Sequence, residues 1–263
     1  GSRAAGDDEM AVSFPPLPPR VSTNHAQQEE MGKKDGEASV NNKKFTALYT
    51  AQTSLDFKGK KDTSGKLSLM KCTKTYRIVM LPYGNDQEGF VAENFDVRIK
   101  GSAALLDYKG DKVKDANGVE LNKPITYVPY NEKLVVNTDG NTQVDGEEID
   151  KALVYDLSSS RMFERKNDVS IRNTESTEYD DKRIVITDKR TGKVIFNHSL
   201  PWFLALCGER TDKGWEDQEY LDRQDHYTLV FYVPSPDTDY HMVAKIKVNG
   251  WVLNLQDVDL GSK

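Results

Sequence analysis

From residue 45 onward the chain is a succession of short runs rich in β-branched and aromatic residues, each broken by turn-forming residues. The feature that most restricts the fold lies near the end of that succession. Before Asn249-Gly250 the apolar residues fall on even positions: Met242, Ala244, Ile246, Val248. After it they fall on odd ones: Trp251, Leu253, Leu255. A two-residue turn at Asn249-Gly250 pairs Val248 with Trp251 and Ile246 with Leu253, which returns all of them to one face. A bulge at Gly250 within one bent strand shifts parity equally well. Both solutions require β structure.

The other strand candidates are 45–50, 54–57, 67–70 and 76–81, with Cys72 between the last two. Then come 95–99, 125–130, 133–136, 152–158, 169–172, 183–187, 194–198 and 227–233. Asn117-Gly118, Asp139-Gly140, Asp145-Gly146 and Thr191-Gly192 are turn candidates, because glycine takes a positive φ without steric cost. One helix is predicted. Pro201 suits its first position, Trp202 to Cys207 is an apolar block, and Gly208 suits the stop. So short a helix must pack on a sheet. The acidic stretch 211–218 reads as a loop. Many short strands and one short helix predict an all-β sandwich class.

Residues 1–44 differ in kind. They hold four of the ten prolines and one aromatic residue, Phe14. Such a segment buries too little apolar surface to offset its ordering entropy, so it is expected to be loosely packed. The run from Phe14 to Arg20 (FPPLPPR) favours polyproline II, as a linker or as a partner-docking ligand.

Composition excludes several classes. Lys and Arg number 36 against 42 Asp and Glu, a net charge of −6, which is not a nucleic-acid footprint. No apolar stretch is long enough for a membrane-spanning helix, and no signal-peptide pattern opens the chain. Cys72 and Cys207 have neither metal-type nor redox-type spacing.

No catalytic constellation emerges, and no catalytic, cofactor or metal residue is assigned. His25, His198, His226 and His241 lack a second ligand type at i+2 or i+4 and read as strand or surface residues. The acidic stretch Glu216, Asp217 and Glu219 through Asp222 and Asp225 reads as a solvated loop, since nothing brings two carboxylates into a pocket. In 137–148, oxygen-bearing side chains Asp139, Asn141, Asp145 and Glu148 fall at calcium-loop positions. Thr142, however, stands where that loop needs glycine. Ser158-Ser159-Ser160 has no nucleophile-elbow glycines. Cys207 reads as core packing. Trp202, Trp215 and Trp251 could form a sugar-stacking platform, but Trp202 and Trp251 lie in core-like contexts.

An ordered set of segments goes further. Phe95-Asp96-Val97-Arg98-Ile99-Lys100 leads to Leu105-Leu106-Asp107-Tyr108 and Ile125-Thr126-Tyr127-Val128-Pro129-Tyr130. Tyr155-Asp156-Leu157-Ser158-Ser159-Ser160-Arg161-Met162 follows, then 220–227 (YLDRQDHY), 245–251 (KIKVNGW) and 257–260 (DVDL). In this order they resemble the C-terminal domain of the FimB-like fimbrial anchor family of Bacteroides-type bacteria. The resemblance implies two transthyretin-like (Ig-like) β-sandwich domains in tandem. The first is incomplete here: 1–44 as a flexible or loop-like region, 45–93 as its closing strands, and 94–263 as the second domain. It implies an outer-membrane lipoprotein, not an enzyme, that anchors the base of a cell-surface fimbrium and limits its length, with no cofactor. Family members are exported and lipidated at a cysteine near the mature N-terminus, and no such cysteine is present here. The chain is therefore expected to be a fragment or a processed product. Shaft subunits are the expected partners, added as β-strands to an open edge among residues 45–92. The rival reading is a glycan- or host-protein-binding sandwich module.

Overall fold

Strands whose sequences are apolar on both faces occupy the middle of one sheet; two alternating strands, 95–101 and 182–188, occupy the middle of the other. This computed structural model describes residues 39–53, 59, 64–83, 88–121, 124–136, 143–144, 147–148, 150–164, 182–205, 213–237, 245–248 and 251–254. The first sheet has six strands in the order β15-β14-β13-β4-β10-β7. These are β4 (Thr73–Pro82), β7 (Asn131–Val136), β10 (Lys151–Ser160), β13 (His226–Val233), β14 (Lys245–Val248) and β15 (Trp251–Asn254). The second has five, β1-β6-β5-β11-β12: β1 (Ser39–Asn41), β5 (Phe95–Gly101), β6 (Ile125–Tyr127), β11 (Lys182–Asp188) and β12 (Lys193–Ser199). Two small ribbons complete the set: β2 (Tyr49–Thr50) with β3 (Met70–Lys71), and β8 (Gln143–Val144) with β9 (Glu147–Glu148).

β11 shows the alternating pattern. Ile184 and Ile186 are fully buried, while Arg183, Val185 and Thr187, which alternate with them, are half-buried. β4 shows the two-faced pattern: Tyr76, Ile78 and Met80 join the main core, and Val79 and Leu81 are buried in a second cluster with Ala152, Val154 and Val230. The main core draws on both sheets, with Leu153, Tyr155, Leu229 and Phe231 meeting Val97, Ile99, Ile184 and Phe196. This is a β-sandwich, as the sequence predicts. β4 lies between β10, antiparallel, and β13, parallel. Residues from both sides of position 93 therefore share one sheet.

The 242–255 pattern resolves as a pairing of two strands: Val248 opposes Trp251 and Ile246 opposes Leu253. The turn residues Asn249-Gly250 lie outside the described residues, as do the candidate strands 54–57 and 169–172 and the Asp139-Gly140 and Asp145-Gly146 turns. Three candidates shrink, and of 125–130 only Ile125–Tyr127 is a strand. Of 45–50, only Tyr49–Thr50 is a strand, because Phe45 turns into the core: its ring meets Tyr127 edge-on at 6.0 Å and its N–H donates to Ser158 Oγ at 3.1 Å. Of 67–70, only Met70 is a strand residue; Leu67 and Leu69 are exposed.

Beside a 3-10 turn at Ala92–Asn94, two short α-helices are described, not one. α1 (Leu200–Ala205) begins one residue earlier than predicted, and all of it but Trp202 is buried. α2 (Asp217–Arg223) replaces the end of the predicted acidic loop. Its apolar signal is only Tyr220-Leu221, both buried, and its polar face is closed by an i,i+4 pair from Arg223 to Glu219.

Candidate functional site

Two of the segments that carried the family resemblance, 155–162 and 220–227, meet in space, in a polar clamp at one end of the six-stranded sheet. The serines at the end of β10 each bind a different part of the chain. Ser158 Oγ accepts from Phe45 N, Ser159 Oγ pairs with Tyr76 Oη at 2.8 Å, and Ser160 Oγ pairs with Tyr127 Oη at 3.0 Å. They are structural, in keeping with the missing elbow glycines.

Arg161 follows. Its guanidinium donates twice to Asp222, Nε to Oδ1 and Nη2 to Oδ2, both at 2.7 Å. Nη1 donates to Asp111 Oδ1 at 2.6 Å and to the Gly110 carbonyl at 3.0 Å, and the group stacks on Phe163, 4.9 Å from its centroid. Burial opposes the Arg161 charge, but Asp222 and Asp111 hold its pKa above the ordinary value. Gln218 ties α2 to the same segment through the Met162 carbonyl and the Glu164 N–H.

Lys74 lies beneath this hub with a fully buried side chain. Its Nζ donates to the carbonyls of Asp222 (3.1 Å) and Gln224 (2.8 Å), with Asp225 Oδ1 at 3.6 Å. Burial pulls its pKa down to about 8, against the pull of Asp225 and Asp222. Lys182, also fully buried, donates to the Arg161 carbonyl at 2.7 Å. Asp222 is thus turned to the buried Arg161, and Asp225, its side chain 43% exposed, faces Lys71 and Lys74.

The remaining candidates divide plainly. His198 packs on Phe196 at 4.6 Å, and burial, with Arg183 nearby, drives its pKa down to about 4. His226 pairs through Nδ1 with Thr75 Oγ1 at 2.9 Å. Burial is the main cause of its lowered pKa. His25, His241 and Cys207 lie outside the described residues; Cys72 is a buried free thiol. In the calcium-loop candidate, 143–144 and 147–148 pair as a two-stranded ladder; its other residues lie outside the described set. No group of three potential metal ligands occurs among the described residues. Trp202 and Trp215 pack against the main core, and Trp215 carries Lys213 and Arg223 over its ring at 4.7 and 5.0 Å, so neither forms an open stacking platform.

The open edge expected among residues 45–92 is not at Thr73–Pro82, which is paired on both sides. Among the described strands, β7 and β15 are outermost in the six-stranded sheet and β1 and β12 in the five-stranded one, with β12 exposed over part of its length. β7 pairs with β10 through six registered positions and leaves its other side outermost. Five of its six residues are exposed, including Leu134 at 43% and Val136 at 53%. Leu134 opposes Leu153 of the main core, so the core's apolar surface continues to this edge. β1, by contrast, is short, with Ser39 and Asn41 buried.

A profile of the family described as fimbrillin-A associated anchor proteins Mfa1 and Mfa2 matches residues 9–257. Comparison with curated protein sequences found no match. Solved structures share the fold. One is of proteins described as candidate polysaccharide-binding proteins from Bacteroides thetaiotaomicron, with a TM-score of 0.57 and 22% identity over 83% of this chain and 63% of that one. A candidate adhesin from Bacteroides ovatus gives 0.55 and 20% over 86% and 64%. A candidate adhesin from Bacteroides thetaiotaomicron gives 0.54 and 21% over 72% and 54%. The chain thus spans between 54% and 64% of the length of these structures.

Proposed function

Because the chain belongs to the family of fimbrillin-A associated anchor proteins Mfa1 and Mfa2, we propose that it anchors the base of a cell-surface fimbrium to the outer membrane and limits the length of that fimbrium. The family is one of fimbrial accessory proteins, not of enzymes. The family match over residues 9–257 carries the reading. The finer proposal is that a shaft subunit contributes an extended segment to the free side of β7, with attachment to the membrane through an N-terminal lipid. What supports β7 is its outermost place, its exposed Leu134 and Val136, and the chemistry of an unsatisfied edge, where main-chain hydrogen bonds give affinity and alternate side chains give selectivity.

The test is capture of purified shaft subunits by the wild type, by Leu134→Glu/Val136→Glu on β7, and by Val194→Glu on β12. Capture lost only in the β7 variant is expected. Equal capture by all three refutes the edge assignment. Deletion of the gene should give long, readily shed fimbriae; fimbriae of unchanged length and attachment refute the anchor role itself.

A further inference from the structure

Tension that enters the chain from its N-terminal side meets weak pairings before strong ones. β1 joins the edge of the five-stranded sheet through three positions, and the β2–β3 ribbon has two pairs. β4 comes next and is different. It lies inside the six-stranded sheet, with eight registered pairs to β10 on one flank and eight to β13 on the other. An edge strand drawn from its end peels away one pair at a time. β4 is flanked on both sides and buried on both faces, so it yields by sliding along its axis. Sliding loads both ladders together. Because β13 is parallel to β4, a pull on the start of β4 and a pull on the end of β13 act at opposite ends of one ladder, which is a shear geometry. β14 and β15 are antiparallel to their neighbours, and a pull from the C-terminal side opens their pairs in turn.

The polar clamp stands at the end of β4 where tension from the N-terminal side arrives. The Cys72 carbonyl accepts from Arg161 N at 2.7 Å, Lys74 Nζ donates to the carbonyls of Asp222 and Gln224, and Thr75 N donates to the Asp225 carbonyl at 3.0 Å. Arg161 is itself held by Asp222 and Asp111, and its carbonyl by Lys182. Three of four successive residues are thus bonded across to 161 or 222–225. For equilibrium stability this is a poor choice, since a buried ammonium loses hydration that an apolar side chain never needs. Under load the comparison reverses. Apolar burial is non-directional and gives way gradually, whereas a hydrogen bond is lost when its partners separate by about 1 Å, so the clamp resists the first displacement.

We propose that β4 is the load-bearing strand of the protein, and that the clamp of Lys74, Arg161 and Asp222 is its latch against tension entering from the N-terminal side. The proposal rests on the reading of the protein as a fimbrial anchor, whose attachment carries that tension.

The experiment stretches the chain, tethered by tags at its two ends, at constant force. A step that releases the chain between Thr73 and Val233, about 55 nm, should resist longest. Lys74→Met and Asp222→Asn should each raise the rate of that step at a given force at least about tenfold, because their bonds break before its barrier is crossed. Ile184→Ala, a fully buried site on β11 of the other sheet, should raise it less than about threefold while lowering the urea midpoint by as much as either latch variant. A urea transition verifies that each variant folds, and either latch variant alone suffices for the comparison. Absence of a resistant step of that length, a latch variant no faster than the wild type, or an Ile184→Ala chain that yields as fast as the latch variants overturns the proposal. The last result means that general stability, and not a latch, sets the resistance. The anchor reading fails separately, through unchanged fimbriae in the deletion strain.

Discussion

Replacing Asp222 by Asn tests whether the Arg161 hub holds α2 to the sandwich. The Arg161 side chain is 9% exposed and Asp222 18%, and they meet through two bonds at 2.7 Å. Asparagine can accept one of those bonds but carries no charge, so the carboxylate left to Arg161 is Asp111, which is 56% exposed, with the Gly110 carbonyl beside it. Breaking a buried pair by removing one partner costs about 3–5 kcal/mol. The remaining hydrogen bond and the partial exposure of Asp222 bring the expectation for Asp222→Asn to about 2–4 kcal/mol. Asp111→Asn removes the solvated arm of the same hub and should cost under about 1 kcal/mol. Urea unfolding followed by tryptophan fluorescence reads both, and Trp215, under Arg223 of α2, reports locally. With a slope of about 2–3 kcal/mol per M, the Asp222 variant should unfold roughly 1 M earlier than the wild type. The gap between the two variants should persist in 0.5 M salt, because buried pairs are screened little. Arg161→Met combined with Asp222→Leu should cost less than the sum of its parts by more than about 1 kcal/mol. Equal losses from Asp222→Asn and Asp111→Asn, or a gap erased by salt, would refute the assignment of Asp222 as the buried partner.

Three further outcomes are expected. His198 is held neutral, its pKa lowered by burial to about 4 from 6.5, so its contribution is complete above pH 6.5 and is lost as pH falls towards 4. His198→Gln should therefore show a smaller loss than the wild type between pH 7 and 4.5, by on the order of 2 kcal/mol, in urea midpoints at the two pH values. Lys74, lowered to about 8 chiefly by burial, has the opposite consequence at high pH: the unfolded chain keeps the proton longer, so this residue makes stability rise between pH 8 and 10. Titrating unfolding free energy from pH 8 to 9.5 should show that slope in the wild type and not in Lys74→Met; the window stops there because Tyr155, raised by burial, reverses the trend above pH 10. Gly110 has φ +80°, and a Cβ on it would lie 2.7 Å from Cys72 Sγ and 3.1 Å from Met70 Cε, whereas Gly118, also at +80°, faces open space. Thermal unfolding should place Gly118→Ala about 1 kcal/mol below the wild type and Gly110→Ala at least about 2 kcal/mol below it.

The alternating and two-faced runs made the sandwich legible, because side-chain parity alone decides which face a strand can bury. Ile184 and Ile186 announce an inner face, and the parity switch at 249–250 announces the Val248–Trp251 pairing. Which strands become neighbours was not legible. Nothing local in Thr73–Pro82 says that it lies between β10 and β13, since its two apolar faces are equally consistent with several positions in a sheet. α2 was hidden because Tyr220-Leu221 is an adjacent pair rather than a helical stripe, and its hold on the sandwich comes from Asp222 and Gln218 reaching Arg161 and Met162. The clamp was half visible: both Arg161 and Asp222 lie in segments that carried the family resemblance, yet their separation of 61 positions gives no sign that they touch.

The placement of β4 has a consequence for how the molecule comes into being. Its parallel partner, β13, begins at His226, and the contact of Thr75 with His226 spans 151 positions. A chain made or threaded from its N-terminus exposes Thr73–Pro82 long before that partner exists, and β10, on its other side, arrives first. In the interval a ten-residue strand, apolar on both faces, has one open flank in the middle of what will be the largest sheet. Such non-local closure slows folding, and an unpaired apolar flank invites aggregation while it lasts. A chain that stalls short of residue 226 therefore leaves this flank of the sheet's centre unpaired.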